Sequence, residues 1–275
     1  MIFGLPLRAF PFHGDGVTAV VSTRHGGVSD GAYHSLNLGG HVGDDPGAVA
    51  ENRRRLAVAL GVDKLTIADQ KHTDRVAVVD AARAGRGHDG VADSASAFPA
   101  TDAMITNLPG VALAILVADC APVVLYDPVT QAVGVAHSGR AGTIRGVLPK
   151  TVGAMAASFG SAPGDLLIGI GPAIGAASYE IGAAEASEVM AAFGAEGTRL
   201  LTPTRPGHAT FDLARAIRRQ LRDSGVPDRN IYDMAIDTRT STDDFFSDRA
   251  ARPCGRFAAI ARLKPRTEHR LEHQR

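Results

Sequence analysis

The chain of 275 residues has few cysteines, no excess of either charge and no long apolar run. Its two cysteines, Cys120 and Cys254, are too few for a disulfide framework and favour a reducing compartment. Because 29 basic residues balance 29 acidic residues, we expect no strong electrostatic attraction to nucleic acid or to an anionic membrane. The longest apolar run, residues 111–118, is far shorter than the roughly 20 residues of a transmembrane helix. The N-terminus lacks the pattern of a secretory signal, so we expect a cytoplasmic protein.

Several motifs of known metal and phosphate sites are also absent. Multicopper oxidases need many histidines, commonly in His-x-His pairs, and none of the ten histidines here forms such a pair. The His-x-Glu and Pro-Cys-x-x-Cys signature of nucleobase deaminases is missing. The glycine-rich stretch at residues 24–31 lacks the lysine and the following Ser or Thr of a P-loop. Multicopper chemistry is therefore not expected, and any deaminase activity would need a different kind of site.

What the sequence does contain is a series of short β-branched and apolar segments. They predict strands at residues 17–23, 66–69, 76–79, 103–106, 111–117, 122–126, 132–136, 166–170, 231–236 and 256–261. Helical spacing of apolar residues predicts helices at residues 46–60, 144–159, 185–193 and 212–223. Residues 81–101 are predicted to form a long loop. Since strands outnumber helices and come in runs, the pattern favours an α+β fold over a doubly wound sheet.

The chain is predicted to form one domain. No internal repeat and no linker divides residues 1–262, and a segment of this length can bury a real core. Residues 263–275 are polar and of mixed charge, which predicts a tail outside the domain.

Three residues far apart in the chain, His72, Cys120 and His137, each stand in a short polar break beside an apolar run. A thiol and two imidazoles at the ends of elements fit two kinds of site. They can supply three zinc ligands and leave the fourth position for a water, whose pKa zinc lowers towards about 7. Alternatively, Cys120 is a thiolate nucleophile and His137 is its base, with no metal. The second histidine favours zinc, and copper at the same donors is a less favoured alternative.

A set of ordered motifs resembles the YfiH family, whose members were long described as laccase-domain or polyphenol oxidase proteins and later as purine nucleoside phosphorylases. The similar segments are residues 22–29, 35–39, 51–53, 70–72, 101–103, 118–122, 169–174, 179–182, 245–249 and 255–256. The resemblance implies a layered α/β/β/α sandwich of mixed sheets, similar to a bacterial deamidase toxin. It also implies a zinc ion held by His72, Cys120 and His137. The implied reaction is cleavage of purine nucleosides by phosphate, accompanied in some members by adenosine deamination.

Four further residues, Arg24, Asn37, Gln70 and Arg140, are predicted to bind substrate. Arg24 is the first choice for phosphate, with Arg53 and Arg140 as alternatives, because guanidinium matches phosphate geometry. Asn37 either satisfies its own turn or donates a hydrogen bond to substrate. Gln70 either contacts substrate or orients a metal ligand. The family usually continues His-x-Gly with Trp-Arg-Gly, whereas here the tryptophan is missing and Arg140 stands one position early.

These patterns together predict a zinc-dependent purine nucleoside phosphorylase acting on adenosine, inosine or methylthioadenosine, with adenosine deamination as an optional second activity. One alternative is a metal-independent cysteine hydrolase or deamidase using Cys120 and His137. Another is a purine-binding homologue that has lost activity, indicated by the altered residues after His137. The expected partners are purine nucleosides and phosphate, and the sequence predicts no particular oligomeric state.

Overall fold

The computed structural model describes residues 4–14, 16–90 and 98–265. Its α-helices are α1 (Pro46–Ala59), α2 (Arg140–Ile144), α3 (Val147–Phe159), α4 (Ala183–Phe193), α5 (Gly197–Leu200) and α6 (Leu213–Asp223). Its strands are β1 (Leu7–Ala9), β2 (Val17–Ser22), β3 (Leu65–Ile67), β4 (Val76–Val78), β5 (Ala103–Thr106), β6 (Ala112–Val117), β7 (Ala121–Asp127), β8 (Ala132–Ser138), β9 (Leu167–Ile170), β10 (Glu180–Gly182), β11 (Leu201–Pro203), β12 (His208–Phe211), β13 (Ile231–Asp233) and β14 (Phe257–Leu263). Short 3-10 helices lie at Gly31–Tyr33, Pro163–Asp165, Ala176–Ser178, Gly194–Glu196 and Asp228–Asn230.

Two mixed sheets carry most of the strands. The first sheet has five strands in the order β1-β2-β14-β6-β3, and the second has six in the order β13-β9-β7-β8-β5-β4. Most neighbours are antiparallel, while β3, β4 and β13 at the sheet edges pair in parallel with their neighbours. A small third sheet has the order β10-β12-β11. The mixed sheets and few helices confirm the predicted α+β class.

The two large sheets pack face to face, and helices cover their outer faces. The core between the sheets combines residues such as Val21 and Phe257 of the first sheet with Val124 and Val135 of the second. A second core lies between the first sheet and α1, and a third lies between the second sheet and α3, α4 and α6. Because successive side chains point to opposite faces, a strand covered on both sides is apolar throughout, as β6 is. The layer order is therefore α/β/β/α, as expected.

Helix α1 begins as its sequence predicts, whereas the predicted helix at residues 144–159 is interrupted. The Asp45 side chain accepts a hydrogen bond from the Ala48 backbone nitrogen at 2.7 Å, and Pro46 takes the first helical position. Gly146 adopts a left-handed conformation with φ of 80°, which ends α2 and begins α3. The prediction of one continuous helix was wrong at this glycine.

Several short elements were not predicted, because three or four residues are too few to show an alternating pattern. They are β1 and the three strands of the small sheet. At the other end of the chain, β14 extends through Leu263, and the Lys264 nitrogen donates a hydrogen bond to the Gly16 carbonyl at 2.8 Å. The folded part thus passes slightly beyond residue 262, while most of the predicted tail and part of the predicted loop at 81–101 lie outside the described residues. Within the described ranges, no helix has the length and apolar character needed to cross a membrane.

Candidate metal centre

His72, Cys120 and His137 meet at one end of the two large sheets. His72 lies in the loop between β3 and β4, Cys120 in the turn between β6 and β7, and His137 near the end of β8. Their ligand atoms all lie within 4.8 Å of one another. Cys120 Sγ is 3.8 Å from His72 Nε2, and the two imidazole rings meet edge to face with centroids 4.7 Å apart. The structure thus brings together the three residues selected from the sequence.

The strand connections explain this meeting. Strand β6 belongs to the first sheet and β7 to the second, so the chain crosses between the sheets at Cys120. Strand β7 pairs with β8 in a register that places Pro122 opposite His137. His72 and Asp119 adopt left-handed backbone conformations, with φ of 58° and 78°. Residues other than glycine rarely adopt this conformation. These two sharp turns direct the loops of the first sheet towards the end of β8.

Gly139 provides the space in which the cluster packs. A Cβ atom at this position would lie 2.4 Å from Cys120 Sγ and 3.3 Å from His72 Cδ2. The distance to Sγ is too short, because contacts of real Cβ atoms essentially never fall below 3.0 Å. The glycine two residues after His137 is therefore required by close approach rather than by an unusual backbone angle, since its φ is −82°.

Asp102, which is fully buried just before β5, contacts both histidines. Its Oδ1 lies 2.7 Å from His137 Nδ1 and accepts a hydrogen bond from the His72 backbone nitrogen at 3.0 Å. Its Oδ2 accepts hydrogen bonds from the backbone nitrogens of Lys71 and Thr73 at 3.1 and 2.6 Å. Because an ionised carboxylate only accepts, His137 Nδ1 donates and its Nε2 is left for a ligand. One carboxylate therefore orients one imidazole and holds the loop that carries the other.

The electrostatics of the cluster favour a thiolate and an imidazolium in the metal-free protein. Burial raises the pKa of the Cys120 thiol, but the charge of His137 and hydrogen bonds to both histidines lower that pKa to about 6. Burial lowers the pKa of His137, but the Cys120 thiolate and Asp102 raise it to about 9. Burial raises the pKa of Asp102, but hydrogen bonds from His137 and Thr73 lower it to about 2. At neutral pH the site therefore carries the thiolate, the form that binds metal or attacks an electrophile.

The cluster opens into a cavity of about 520 Å³. This volume lies within the range of about 300–1,000 Å³ that is typical of small-molecule sites. Basic side chains are frequent along its wall: Arg53, Lys71, Arg249, Arg252 and Arg256. The lining also includes the aromatic ring of Tyr179 and the carboxylates of Asp69, Asp119 and Asp248. The wall therefore suits a polar ligand that carries negative charge.

A second buried carboxylate, Asp119, ties the segment before β14 to the turn that holds Cys120. Its Oδ1 accepts hydrogen bonds from the hydroxyls of Thr238 and Ser247 at 2.6 and 2.7 Å. Its Oδ2 accepts a hydrogen bond from the Arg249 backbone nitrogen at 2.6 Å. Because Asp119 directly precedes Cys120, these bonds bring Arg249 to the cavity beside the candidate metal ligands.

Arg24, the first choice for phosphate, does not line this cavity. Its Nε and Nη1 donate hydrogen bonds to the carbonyls of His34 and Thr242 at 2.8 and 2.7 Å. Its guanidinium lies over the Phe246 ring, 4.6 Å from the centroid. These contacts join three loop segments, and the predicted phosphate contact finds no support in this geometry.

Asn37 orders a buried turn. Its Oδ1 accepts hydrogen bonds from the backbone nitrogens of Gly39 and Arg256 at 2.9 and 2.8 Å. Its Nδ2 donates to the Gly39 carbonyl at 3.2 Å and to Asp44 Oδ2 at 2.8 Å. Since the side chain is fully buried and bonded at both ends, the geometry favours the turn role over the substrate contact.

Gln70 lines the cavity, whereas Arg140 does not. Gln70 donates to the Leu116 carbonyl at 2.8 Å and accepts from the Leu116 nitrogen at 2.9 Å. Its side chain thus pairs with β6 as a strand backbone would, and fixes the loop that leads to His72. Arg140 begins α2 and forms an ion pair with Glu188 on α4.

Four residues at or beside the site, Asp102, Asp119, Tyr179 and Arg249, had no role predicted from the sequence. The first two had a local signal, since each is an acidic residue beside an apolar strand, where a carboxylate that becomes buried needs a partner. Tyr179 and Arg249 had none, because their closeness to Cys120 depends on how distant segments pack.

The model of the family described as "Multi-copper polyphenol oxidoreductase laccase" matches residues 18–264. The chain belongs to this family. Its fold is similar to that of YlmD from Geobacillus stearothermophilus, with a TM-score of 0.85 and 35% identity over 91% of this chain and 93% of that one. It is equally similar to YfiH of Bacillus licheniformis, with a TM-score of 0.85 and 33% identity over 90% and 93%. The resemblance to the YfiH family is thereby confirmed.

Several relatives in this family are named purine nucleoside phosphorylase. The one from Mycobacterium tuberculosis is 39% identical over 248 residues, which cover 89% of this chain and 91% of its own length. The one from Streptomyces coelicolor is 40% identical over 242 residues, covering 87% and 93%. YlmD of Geobacillus stearothermophilus also carries this name, at 36% identity over 89% of both chains.

The family description names a multicopper enzyme, which needs more metal ligands than the described residues of this chain bring together. Within the part of the chain that the structure describes, one group of three or more neighbouring His, Cys, Asp or Glu side chains is found, and it consists of His72, Cys120 and His137. A multicopper centre needs many more histidines than this group supplies. The donor set therefore fits a single metal ion.

Proposed function

We propose that this chain is a zinc-dependent purine nucleoside phosphorylase. It cleaves adenosine, inosine or methylthioadenosine with phosphate and releases the free base and the sugar 1-phosphate. The observation that carries this proposal is the meeting of His72, Cys120 and His137 at a basic cavity, in a chain whose relatives at 36–40% identity bear that name. Adenosine deamination is proposed as a second activity of the same site.

The donor set of the cluster fits zinc. One thiolate and two imidazoles are zinc ligands, and three protein ligands with an open fourth position characterise catalytic zinc. Cys120 Sγ, His72 Nε2 and His137 Nε2 would hold the ion, with Asp102 orienting His137 as outer carboxylates commonly do. When bound, zinc supplies Lewis acidity that stabilises negative charge developing on the substrate. Copper fits the same donors and is the less favoured metal.

The residues of the cavity bind and orient the two reactants. Phosphorolysis requires phosphate to be held against the anomeric carbon while the purine leaves, so positioning supplies much of the catalysis. The net positive charge of the wall attracts phosphate, and a guanidinium that no carboxylate neutralises can give it charge-assisted hydrogen bonds. Burial and the neighbouring Cys120 thiolate raise the pKa of Tyr179 to about 12, so this side chain stays neutral on the cavity wall.

Metal content and nucleoside turnover test the proposal together. Elemental analysis should find about one zinc per chain in the wild type and none in Cys120→Ala. Chromatography of adenosine and inosine should show release of free base that depends on phosphate and is lost in the same variant. Cys254→Ala is the matched control, because the second cysteine is buried outside the cluster and should leave both results unchanged. A metal-free wild type that is inert towards nucleosides would contradict the proposal, and nucleoside binding without turnover would support the non-catalytic alternative.

The charge state of the metal-free site favours a second candidate, a cysteine hydrolase or deamidase. A Cys120 thiolate with a pKa of about 6 lies beside a His137 imidazolium with a pKa of about 9, and Asp102 orients the imidazole. This is the arrangement of a nucleophile, its base and an orienting group. In this reaction Cys120 attacks the carbonyl carbon, the C–N bond breaks as His137 transfers its proton to the leaving amine, and water then hydrolyses the thioester to free the thiolate.

Alkylation of the metal-free protein by iodoacetamide examines the thiol. Cys120 should react with a midpoint near pH 6, because its thiolate predominates above that pH. Cys254 should react slowly at neutral pH, because burial raises the pKa of its thiol. Added zinc should protect Cys120 from alkylation. Amide hydrolysis that survives chelation would favour the hydrolase, whereas nucleoside cleavage abolished by chelation and restored by zinc would favour the phosphorylase.

A further inference from the structure

The cationic side chains on the cavity wall differ in whether a carboxylate neutralises them. Lys71 Nζ lies 3.0 Å from Asp69 Oδ1. Arg252 lies 2.5 Å and Arg256 3.7 Å from the carboxylate oxygens of Asp248. Asp69 and Asp248 therefore neutralise Lys71 and Arg252, while Arg256 shares the Asp248 carboxylate at the longer distance and donates its Nη1 to the carbonyls of Cys254 and Gly255.

Arg53 has no such partner, but three of its five N–H donors already bond to backbone carbonyls. It is almost fully buried, and in the described part of the chain no carboxylate oxygen lies within 4.0 Å of it. Its Nε donates to the Leu38 carbonyl at 2.9 Å, and its Nη1 donates to the carbonyls of Gly87 and His88 at 2.8 and 2.9 Å. Arg53 thus joins α1 to two loops at the floor of the cavity.

Arg249 is both unneutralised and largely uncommitted. Among the described residues it also has no carboxylate within 4.0 Å, and one of its guanidinium nitrogens, Nη1, donates to the Glu180 carbonyl at 2.8 Å. Its Nε and Nη2 make no hydrogen bond to the described residues. The guanidinium lies over the Tyr179 ring, 5.4 Å from the centroid, and that ring packs against Phe211. Asp119 holds the Arg249 backbone beside Cys120.

We infer that Arg249, supported by Tyr179, is the phosphate-binding residue of the cavity. This role rests on the proposed phosphorolysis. A guanidinium presents two parallel donors that match two phosphate oxygens, and Arg249 retains Nε and Nη2 for this purpose. Its position next to the turn of Cys120 places phosphate at the metal end of the cavity and leaves the remaining volume for the nucleoside. Arg249 therefore takes the role that the sequence suggested for Arg24.

Steady-state kinetics show whether Arg249 binds phosphate directly or only adds to the positive charge of the wall. The variants compared with wild type are Arg249→Gln, Arg249→Lys and Arg252→Gln. Arg249→Gln should raise the KM for phosphate by about ten- to a hundredfold, because a bidentate charge-assisted contact is lost. The KM for the nucleoside and the zinc content should stay near wild type. Arg249→Lys keeps the positive charge but lacks the two parallel donors of guanidinium. Its phosphate KM should therefore lie between those of wild type and Arg249→Gln. Arg252→Gln changes a residue of the same wall whose charge Asp248 already balances, so its phosphate KM should change by less than about threefold.

Two variants of Tyr179 test its support of the guanidinium. Tyr179→Phe keeps the ring beneath Arg249 and should leave the phosphate KM near wild type. Tyr179→Leu removes the ring and should raise that KM by about three- to tenfold. Thermal melting of each variant, compared with wild type, confirms that the fold is retained.

Calorimetric titration of the zinc-loaded protein with inorganic phosphate provides a readout that does not depend on turnover. Binding should be lost in Arg249→Gln and kept in Arg252→Gln. If Arg249→Gln binds and uses phosphate as the wild type does, the inference is wrong while the phosphorylase function stands. If the wild type cleaves nucleosides without needing phosphate, the proposed function fails, and the role of Arg249 fails with it.

Discussion

Asp102 shows how much of the candidate metal centre depends on one residue that does not line the cavity. Its two oxygens accept hydrogen bonds from three consecutive backbone nitrogens, those of Lys71, His72 and Thr73, and also contact the His137 imidazole. A carboxylate suits this position because all the surrounding groups are donors. An amide of the same shape would direct its own N–H groups at some of these donors, and those hydrogen bonds would be lost.

Asp102→Asn should therefore weaken zinc binding by about 10–100-fold, the effect typical of removing an outer-sphere partner. Competition with a chromophoric chelator measures this affinity. Asp69→Asn is the control, because Asp69 also lines the cavity but pairs with the exposed Lys71, and it should leave the affinity near wild type. Equal affinities for the two variants would contradict the orienting role of Asp102.

Gly139 is the second residue on which the cluster depends, for steric reasons. Gly139→Ala should displace the Cys120 thiol, because the new Cβ would lie 2.4 Å from Sγ. We expect less than stoichiometric zinc and a loss of about 1–3 kcal/mol in the free energy of unfolding, the range typical of overpacking. Elemental analysis and urea unfolding measure the two effects.

Gly153→Ala is the matched control for this prediction. Gly153 lies within α3, and apart from its chain neighbours and the backbone of its own helix no heavy atom lies within 4 Å of the Cβ that alanine would add. Alanine there should keep the zinc and increase stability by roughly 0.5–1 kcal/mol through helix propensity. A Gly139→Ala protein with full zinc content would refute the packing argument.

Among the elements, helices and strands contribute to the site in different ways. Strands β6, β7 and β8 carry Cys120 and His137 at their ends, so the sheets determine the ligand positions. Helix α1 covers the outer face of the first sheet and reaches the cavity through Arg53. Helix α6 covers the second sheet through an apolar face that includes Leu213, Ile217 and Leu221, as its sequence predicted. The helices therefore stabilise the frame on which the strand ends meet.

Removing a helix cap should accordingly lower stability without changing metal binding. Asp45 accepts from the Ala48 nitrogen at the start of α1, and Asp212 accepts from the Arg215 nitrogen at the start of α6. Asp45→Ala and Asp212→Ala should each cost about 1 kcal/mol of unfolding free energy, measured in urea, with zinc content unchanged. Asp30→Ala is the control, because Asp30 precedes a 3-10 helix without making a cap hydrogen bond, and it should change stability by less than about 0.5 kcal/mol. A cap variant that loses zinc would show that the helices position the ligands directly.

For the molecule as a whole, stability should depend on His88, a buried histidine outside the candidate metal cluster. His88 is buried, and its Nδ1 accepts a hydrogen bond from the Leu65 nitrogen at 3.2 Å, which requires the neutral ring. Burial lowers its pKa below the ordinary 6.5, although Asp89 opposes the shift. The unfolded chain therefore takes up a proton at this histidine at a higher pH than the folded chain does.

The sign of the pH dependence follows from this difference. At His88 the unfolded state binds more protons below about pH 6.5, so the contribution of this histidine to the free energy of unfolding should fall as the pH is lowered from neutral towards 5. His88→Gln keeps an acceptor but cannot titrate, so its stability should fall less over the same interval. Urea unfolding of both proteins at matched pH values gives the difference in their unfolding free energies. Titrating groups that the two proteins share contribute equally to both and cancel in this difference. Parallel curves would show that His88 does not contribute to the pH dependence.

The sequence by itself determined the properties that arise from neighbouring residues. Runs of β-branched residues indicated the strands and the α+β class, and Asp45 with Pro46 indicated the start of α1, because alternation and capping act over a few positions. Thiol and imidazole side chains at strand ends indicated the candidate metal ligands, since their chemistry is intrinsic and strand ends gather at the edge of a sheet. The order of motifs indicated the family, which the comparisons confirmed.

Only the tertiary structure decided which polar side chains face the cavity and which are used within the protein. Arg24 and Asn37 look like substrate ligands in the sequence, but packing commits their hydrogen bonds to backbone groups and to Asp44. Arg249 lies 130 residues from Asp119, and only the packing of the two sheets joins them. The physical reason is that hydrogen-bond commitment and charge balance depend on distances across the fold, and residues close in the chain do not determine those distances.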